Sequence, residues 1–66
     1  MDTKAELRRV MAFYGVTTKE AGEILGKSPQ TILAWRSRKN ERKINLEQLY
    51  KLKAVLSDRY INGIQQ

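Results

Sequence analysis

Eleven residues in mid-chain, Trp35 to Asn45 (WRSRKNERKIN), carry five Lys or Arg and one Glu. Two-thirds of the net charge of +6 therefore sits on one-sixth of the 66 residues. A cluster of this kind attracts polyanions: nucleic acid first, an acidic membrane surface or acidic protein second. A solvated charged loop has the same composition. Arg36, Arg38, Lys39, Arg42 and Lys43 are the phosphate-contact candidates. Acid–base and covalent chemistry are poorly supplied. The chain has no His and no Cys, which excludes a His-based triad or relay, a thiolate metal site and a disulfide, and leaves zinc only an all-carboxylate site. Glu20 and Glu23 lie three residues apart with nothing apolar around them, and are expected to be solvated or paired with Lys19 and Lys27. There is no nucleophile–base pair, phosphate-cradling glycine loop or metal-ligand spacing. These residues point away from an enzyme, a cofactor or a small-molecule substrate.

A second group lies just before and into the cluster. With successive residues 100° apart on a helix, Ser28, Thr31, Ile32 and Trp35 share one side, which must face a core. Gln30, Leu33, Ala34 and Ser37 share the other, flanked by Pro29 and Arg36. This outer side has no acidic residue, whereas a face built for solvent normally carries Glu and Lys. Its amide, apolar groups and hydroxyl suit base edges: Gln for adenine, an apolar contact for the thymine methyl, and the flanking Arg for guanine. Ser28, Gln30, Leu33, Ala34 and Ser37 are the base-contact candidates. Gln30 is also an ordinary helix former near a cap, and Leu33 would equally pack against a second subunit. Trp35, on the side of Ile32, reads as core.

The elements that must hold these residues are helical. No segment alternates as a strand does, and the longest run of Val, Ile and Thr, Val16 to Thr18, is too short for a strand. Leu7, Val10, Met11 and Tyr14 make one face of a first helix from about Thr3 to Tyr14, with Asp2 or Thr3 as cap and Gly15 as its end. Arg8, Arg9, Ala5 and Ala12 fall on the other side. Thr17 to Glu20 reads as a capping box opening a short helix, with Ala21, Ile24 and Leu25 inward and Gly26 as its stop. Thr17, Thr18 and Lys19 then stand at a helix N-terminus, where outward amides can take a phosphate; capping alone also explains Thr17. Ser28 caps the next helix and Pro29 fits its first turn, carrying it to about Ser37 or Arg38. A basic loop, 38–44, follows. Asn45, with Gln48 three residues on, caps a fourth helix striped by Leu46, Leu49, Leu52 and Leu56, with Tyr50 at its edge. Tyr60, Ile61 and Ile64 in the last residues fit either a final turn on the core or a partner-binding tail.

Two short helices joined by a tight glycine-containing turn make a helix-turn-helix, whose second helix can enter the major groove. The stretch Thr17-Thr18-Lys19-Glu20-Ala21-Gly22-Glu23-Ile24-Leu25-Gly26-Lys27-Ser28-Pro29-Gln30-Thr31-Ile32-Leu33-Ala34-Trp35 resembles the helix-turn-helix of phage Cro and lambda-type repressor proteins. The likeness extends over residues 5–57. It departs from the family frame at Lys27, where a small aliphatic residue is usual, and at Gly22 in place of alanine, a change that weakens a helix by ~1 kcal/mol.

The expected fold is all-α, a small four-to-five-helix domain with a central helix-turn-helix over 1–57 and a short tail, 58–66, as a possible dimer contact. The resemblance implies a sequence-specific transcriptional regulator of a phage or prophage, reading a double-stranded DNA operator with residues 29–37 and blocking polymerase, as a weak homodimer on a palindrome. Two alternatives stay open: an architectural or excision factor that bends DNA, and a protein-interaction module that binds no DNA. With no apolar run longer than five residues and no signal-like start, a membrane span is not expected and a cytoplasmic location, on the bacterial nucleoid, is.

Overall fold

The computed structural model describes residues 2–65, with side-chain detail for 2–63. Among the described residues there are four helices and no strand: α1 (Thr3–Tyr14), α2 (Thr18–Leu25), α3 (Pro29–Arg36) and α4 (Leu46–Gln65). Each helix start follows from a side chain able to take the first free amides. Asp2 accepts from the amides of Lys4 and Ala5 at 3.1 and 3.2 Å. Thr17 accepts from the Glu20 amide at 3.1 Å and Ser28 from the Thr31 amide at 3.2 Å. Asn45 accepts from the Gln48 amide at 2.8 Å. The first two helices stop where Gly15 and Gly26 turn left-handed, at φ 66° and 68°, a conformation open to glycine at no steric cost.

One core joins all four helices. Leu7, Val10 and Met11 of α1 meet Ala21 and Leu25 of α2, Ile32 and Trp35 of α3, and Leu49, Leu52 and Leu56 of α4. Gly22 is the point of closest approach. The Lys27 carbonyl occupies the space that a Cβ on residue 22 would need. The glycine gives up helix propensity, as expected, and in return lets the turn fold back against α2, where the Lys27 amide donates to the Gly22 carbonyl at 2.8 Å. The α2–turn–α3 pair is the tight helix-turn-helix expected.

Several details differ from expectation. Leu46 is not in the α4 stripe but 45% exposed in its first turn. Ile44, assigned to the basic loop, is 2% exposed and belongs to the core. Ile44 stands one residue before the Asn45 cap and Leu49 four residues after it, the two positions of a hydrophobic staple, and both are buried. Helix α3 ends at Arg36, one or two residues early, because Ser37 is extended and the turn Ser37–Asn40 begins there. Helix α4 runs on without a break from residue 57 into 58, so the last residues through 65 continue it rather than form a separate tail; Gln66 and the Ile64 side chain lie outside the described residues.

Candidate nucleic-acid interface

The recognition candidate, α3, is held from three sides. Ile32 and Trp35, 0% and 7% exposed, fix its inner side. Ser28, grouped with that side, is instead exposed, and Thr31 is half-buried. Their hydroxyls lie 2.9 Å apart beside the cap, so the Ser28 hydroxyl is shared with the helix start. At the other end α1 supplies two cations. The Lys4 ammonium donates to the carbonyls of Ala34 at 2.9 Å and Trp35 at 3.2 Å, and to that of Arg42 in the basic loop. The Arg8 guanidinium donates to the Arg36 carbonyl at 2.9 Å. The Trp35 and Arg36 carbonyls are among those that the end of a helix leaves without intrahelical partners, the Ala34 carbonyl also takes the Ser37 amide at 3.3 Å, and cations there meet the negative pole of the helix. Burial first, then the charges of Lys43 and Arg8, hold the Lys4 ammonium below the ordinary lysine range.

The outer side of α3 stands as the helical spacing implies. Gln30 is exposed, Leu33 is 56% exposed, and Ala34, Arg36 and Ser37 are half-buried. Just beyond the helix, Arg38, Lys39, Arg42 and Lys43 are all exposed. The loop that carries them is shaped rather than loose. The Asn40 amide donates to the Ser37 carbonyl at 3.3 Å, the Asn40 side chain accepts from the Arg42 amide at 2.8 Å, and Ile44 anchors the far end. At the start of α2, Lys19 is exposed and Thr18 half-buried. Thr17 accepts from the Glu20 amide and donates to the Glu20 carboxylate at 3.3 Å. Glu20 therefore answers the Thr17 hydroxyl rather than its amide, and its charge lies at the helix start where a phosphate would approach.

Comparison of the chain with protein-family models, with curated proteins and with solved structures finds no match. The site thus rests on its own geometry. That geometry brings an acid-free helix face and a basic loop together, joined end to end and locked to α1. Among the described residues no group of three acidic, His or Cys side chains could hold a metal ion, and no helix is long and apolar enough to cross a membrane. Glu20 and Glu23 are exposed, and the ion pairs among the described residues run instead from Glu6 to Arg9 and Lys53.

Lys4, Arg8 and Ile44 escaped the sequence reading as positioning residues. Lys4 does carry a signal, since it lies three residues before Leu7 and seven before Met11 and so continues the buried stripe of α1. Arg8, placed on the outer side, is half-buried beside Arg36. Ile44 was marked by its place immediately before a helix cap.

Proposed function

We propose that this protein binds double-stranded DNA in a sequence-specific manner and acts as a transcriptional regulator, with α3 in the major groove and the basic loop on the adjoining phosphates. The observation that carries the reading is the outer side of α3. It is exposed at Gln30 and Leu33, has no acidic residue along Pro29–Ser37, and leads directly into four exposed cations. Gln30 in the first turn would pair with an adenine edge, Leu33 and Ala34 would meet a thymine methyl, and Arg36 and Ser37 would lie toward the groove wall. Regulation would follow from occlusion of polymerase. Self-association on a palindromic site is part of the proposal, with the exposed Tyr60 and Ile61 of α4 as its contact.

The test separates readout from positioning. A binding site is first selected from random duplex DNA, and variants are then titrated on that site and on scrambled DNA at several salt concentrations. Gln30→Ala is expected to lose about 1–3 kcal/mol on the selected site only. Arg42→Ala is expected to weaken both DNAs by a similar factor and to flatten the salt dependence by about one unit of slope. Equal weakening of both DNAs by Gln30→Ala, or no duplex binding by the parent chain, overturns the proposal.

A further inference from the structure

Between the start of α1 and the basic loop lies a cleft of about 650 Å³. Five cations line it, Lys4, Arg8, Arg38, Lys39 and Lys43, against two carboxylates, Asp2 and Glu41. No residue of α3 contributes to its wall. The carboxylates do not neutralise the cations through ion pairs, because those found among the described residues involve Glu6 alone. Asp2 is engaged as a cap, one of its oxygens taking the amides of Lys4 and Ala5.

The donors of the cleft can be counted. An ammonium has three N–H groups, and those of Lys4 meet three carbonyls, so Lys4 adds charge but no free donor. A guanidinium has five, and Arg8 commits one of its nitrogens to Arg36. Arg38, Lys39 and Lys43 show no side-chain hydrogen bond among the described residues and are exposed. Like charges thus converge from two elements on one concavity with most of their donors unused. Lys4 sits among them, its charge disfavoured first by burial and then by Lys43 and Arg8. A multiply charged oxyanion would offset these like charges and satisfy the donors together.

We infer that this cleft is an anion site for a phosphate group, held by Arg8 from α1 and by Arg38, Lys39 and Lys43 from the loop, with Asp2 opposing occupancy. It deepens the reading proposed above, which sets the loop on phosphates, by adding Arg8 of α1 and a defined cleft, and it rests on that reading where the phosphate belongs to a nucleic-acid backbone. The phosphate comes either from a nucleic-acid backbone or from a free phosphorylated small molecule.

The probe is inorganic pyrophosphate, titrated into the whole labelled protein at constant ionic strength while backbone amide shifts are followed, with chloride as control. Saturable shifts are expected at Arg8 and Asn40. Arg8→Gln and Lys43→Gln should each weaken binding about tenfold, the worth of one charge-assisted hydrogen bond. Asp2→Asn keeps the cap and should tighten binding about threefold, as expected for removal of one repelling charge near the surface. Gln30→Ala should leave pyrophosphate binding unchanged, so failure here and failure of duplex reading are distinguishable. Displacement of pyrophosphate by a short duplex assigns the group to a backbone, and simultaneous binding assigns it to a free ligand. Shifts that do not saturate, or that survive both Gln variants, overturn the inference.

Discussion

Lys4 gives each of its ammonium protons to a backbone carbonyl, two at the end of α3 and one in the basic loop. Its role is positional: it ties the end of α3 and the basic loop to α1. Lys4→Met is expected to lower the melting temperature, because the methionine side chain fills the space but leaves the Trp35 and Arg42 carbonyls without their donor. Thermal unfolding followed by circular dichroism checks this, and an unchanged melting temperature would remove Lys4 from the framework. Asp2 adds a dependence on pH. Its carboxyl is held below the ordinary value of 3.8 mainly by the amide of Ala5, against an opposing effect of burial, with smaller help from the Lys4 amide and from Arg8 and Lys43. The folded-state pKa is depressed, so this stabilisation is fully present above the unfolded value and is lost as pH falls through the folded one. Asn caps a helix about as well as Asp. The parent should therefore melt above Asp2→Asn at about pH 6, and the gap should close at about pH 2. A gap independent of pH would mean that the charge of Asp2 does not matter.

At the scale of elements, α3 depends on its inner anchors. Trp35→Ala should cost about 3–5 kcal/mol and Ile32→Ala about 2–5 kcal/mol, values large against the stability of so small a domain. Denaturant titration measures both, and a variant that unfolds like the parent would overturn the assignment of this face. Gly22→Ala is expected to destabilise by about 1–3 kcal/mol despite better helix propensity, because the new methyl meets the Lys27 carbonyl. Gly26→Ala would be strained for a different reason, its positive φ. The bounds of α1 and α2 and the start of α3 were legible because a capping side chain or glycine stands directly beside a periodic apolar stripe. Ile44 carried only one signal, its place before the Asn45 cap, since a lone apolar residue among five charges shows no periodicity and its burial depends on where α4 lies. Lys4 and Arg8 were hidden by their charge: helical spacing places a side chain on a face but does not say that a neighbouring helix will end there with open carbonyls. The outer face of α3 was readable because it follows from spacing within one helix. The cleft was not, since the α1 and loop residues that line it are thirty or more apart in sequence.

The whole molecule is elongated, with extents of 40 × 24 × 19 Å, and α4 accounts for much of its length. The last buried side chain of α4 in the core is Leu56. Beyond it Tyr60 meets Tyr14 edge-on at 6.1 Å between centroids and lies 6.3 Å from Phe13, yet Phe13, Tyr60 and Ile61 remain 70%, 54% and 50% exposed. Truncation after Asp58 should thus leave the four-helix core folded while removing the proposed contact between copies. Sedimentation is expected to show weaker self-association of the shortened chain with its helical spectrum otherwise kept. Undiminished association would place the contact elsewhere.

The ties from α1 to the end of α3 bear on how the molecule breathes. A helix of eight residues is too short to persist in water by itself, and terminal turns ordinarily open far more often than the interior. Here Ser28 closes one end, and Lys4 and Arg8 hold the other. The last turn of α3 can open only by pulling away from α1, which is part of the core. In native-state hydrogen exchange the amides from Ile32 to Arg36 should therefore slow together with those of Leu7 and Met11, at the free energy of global unfolding. The basic loop just after them should exchange quickly. A surface offered to a ligand would then be as rigid as the centre of the protein up to Arg36, while beyond it the loop keeps its shape through Lys4 and Ile44 even as its solvent-facing amides exchange.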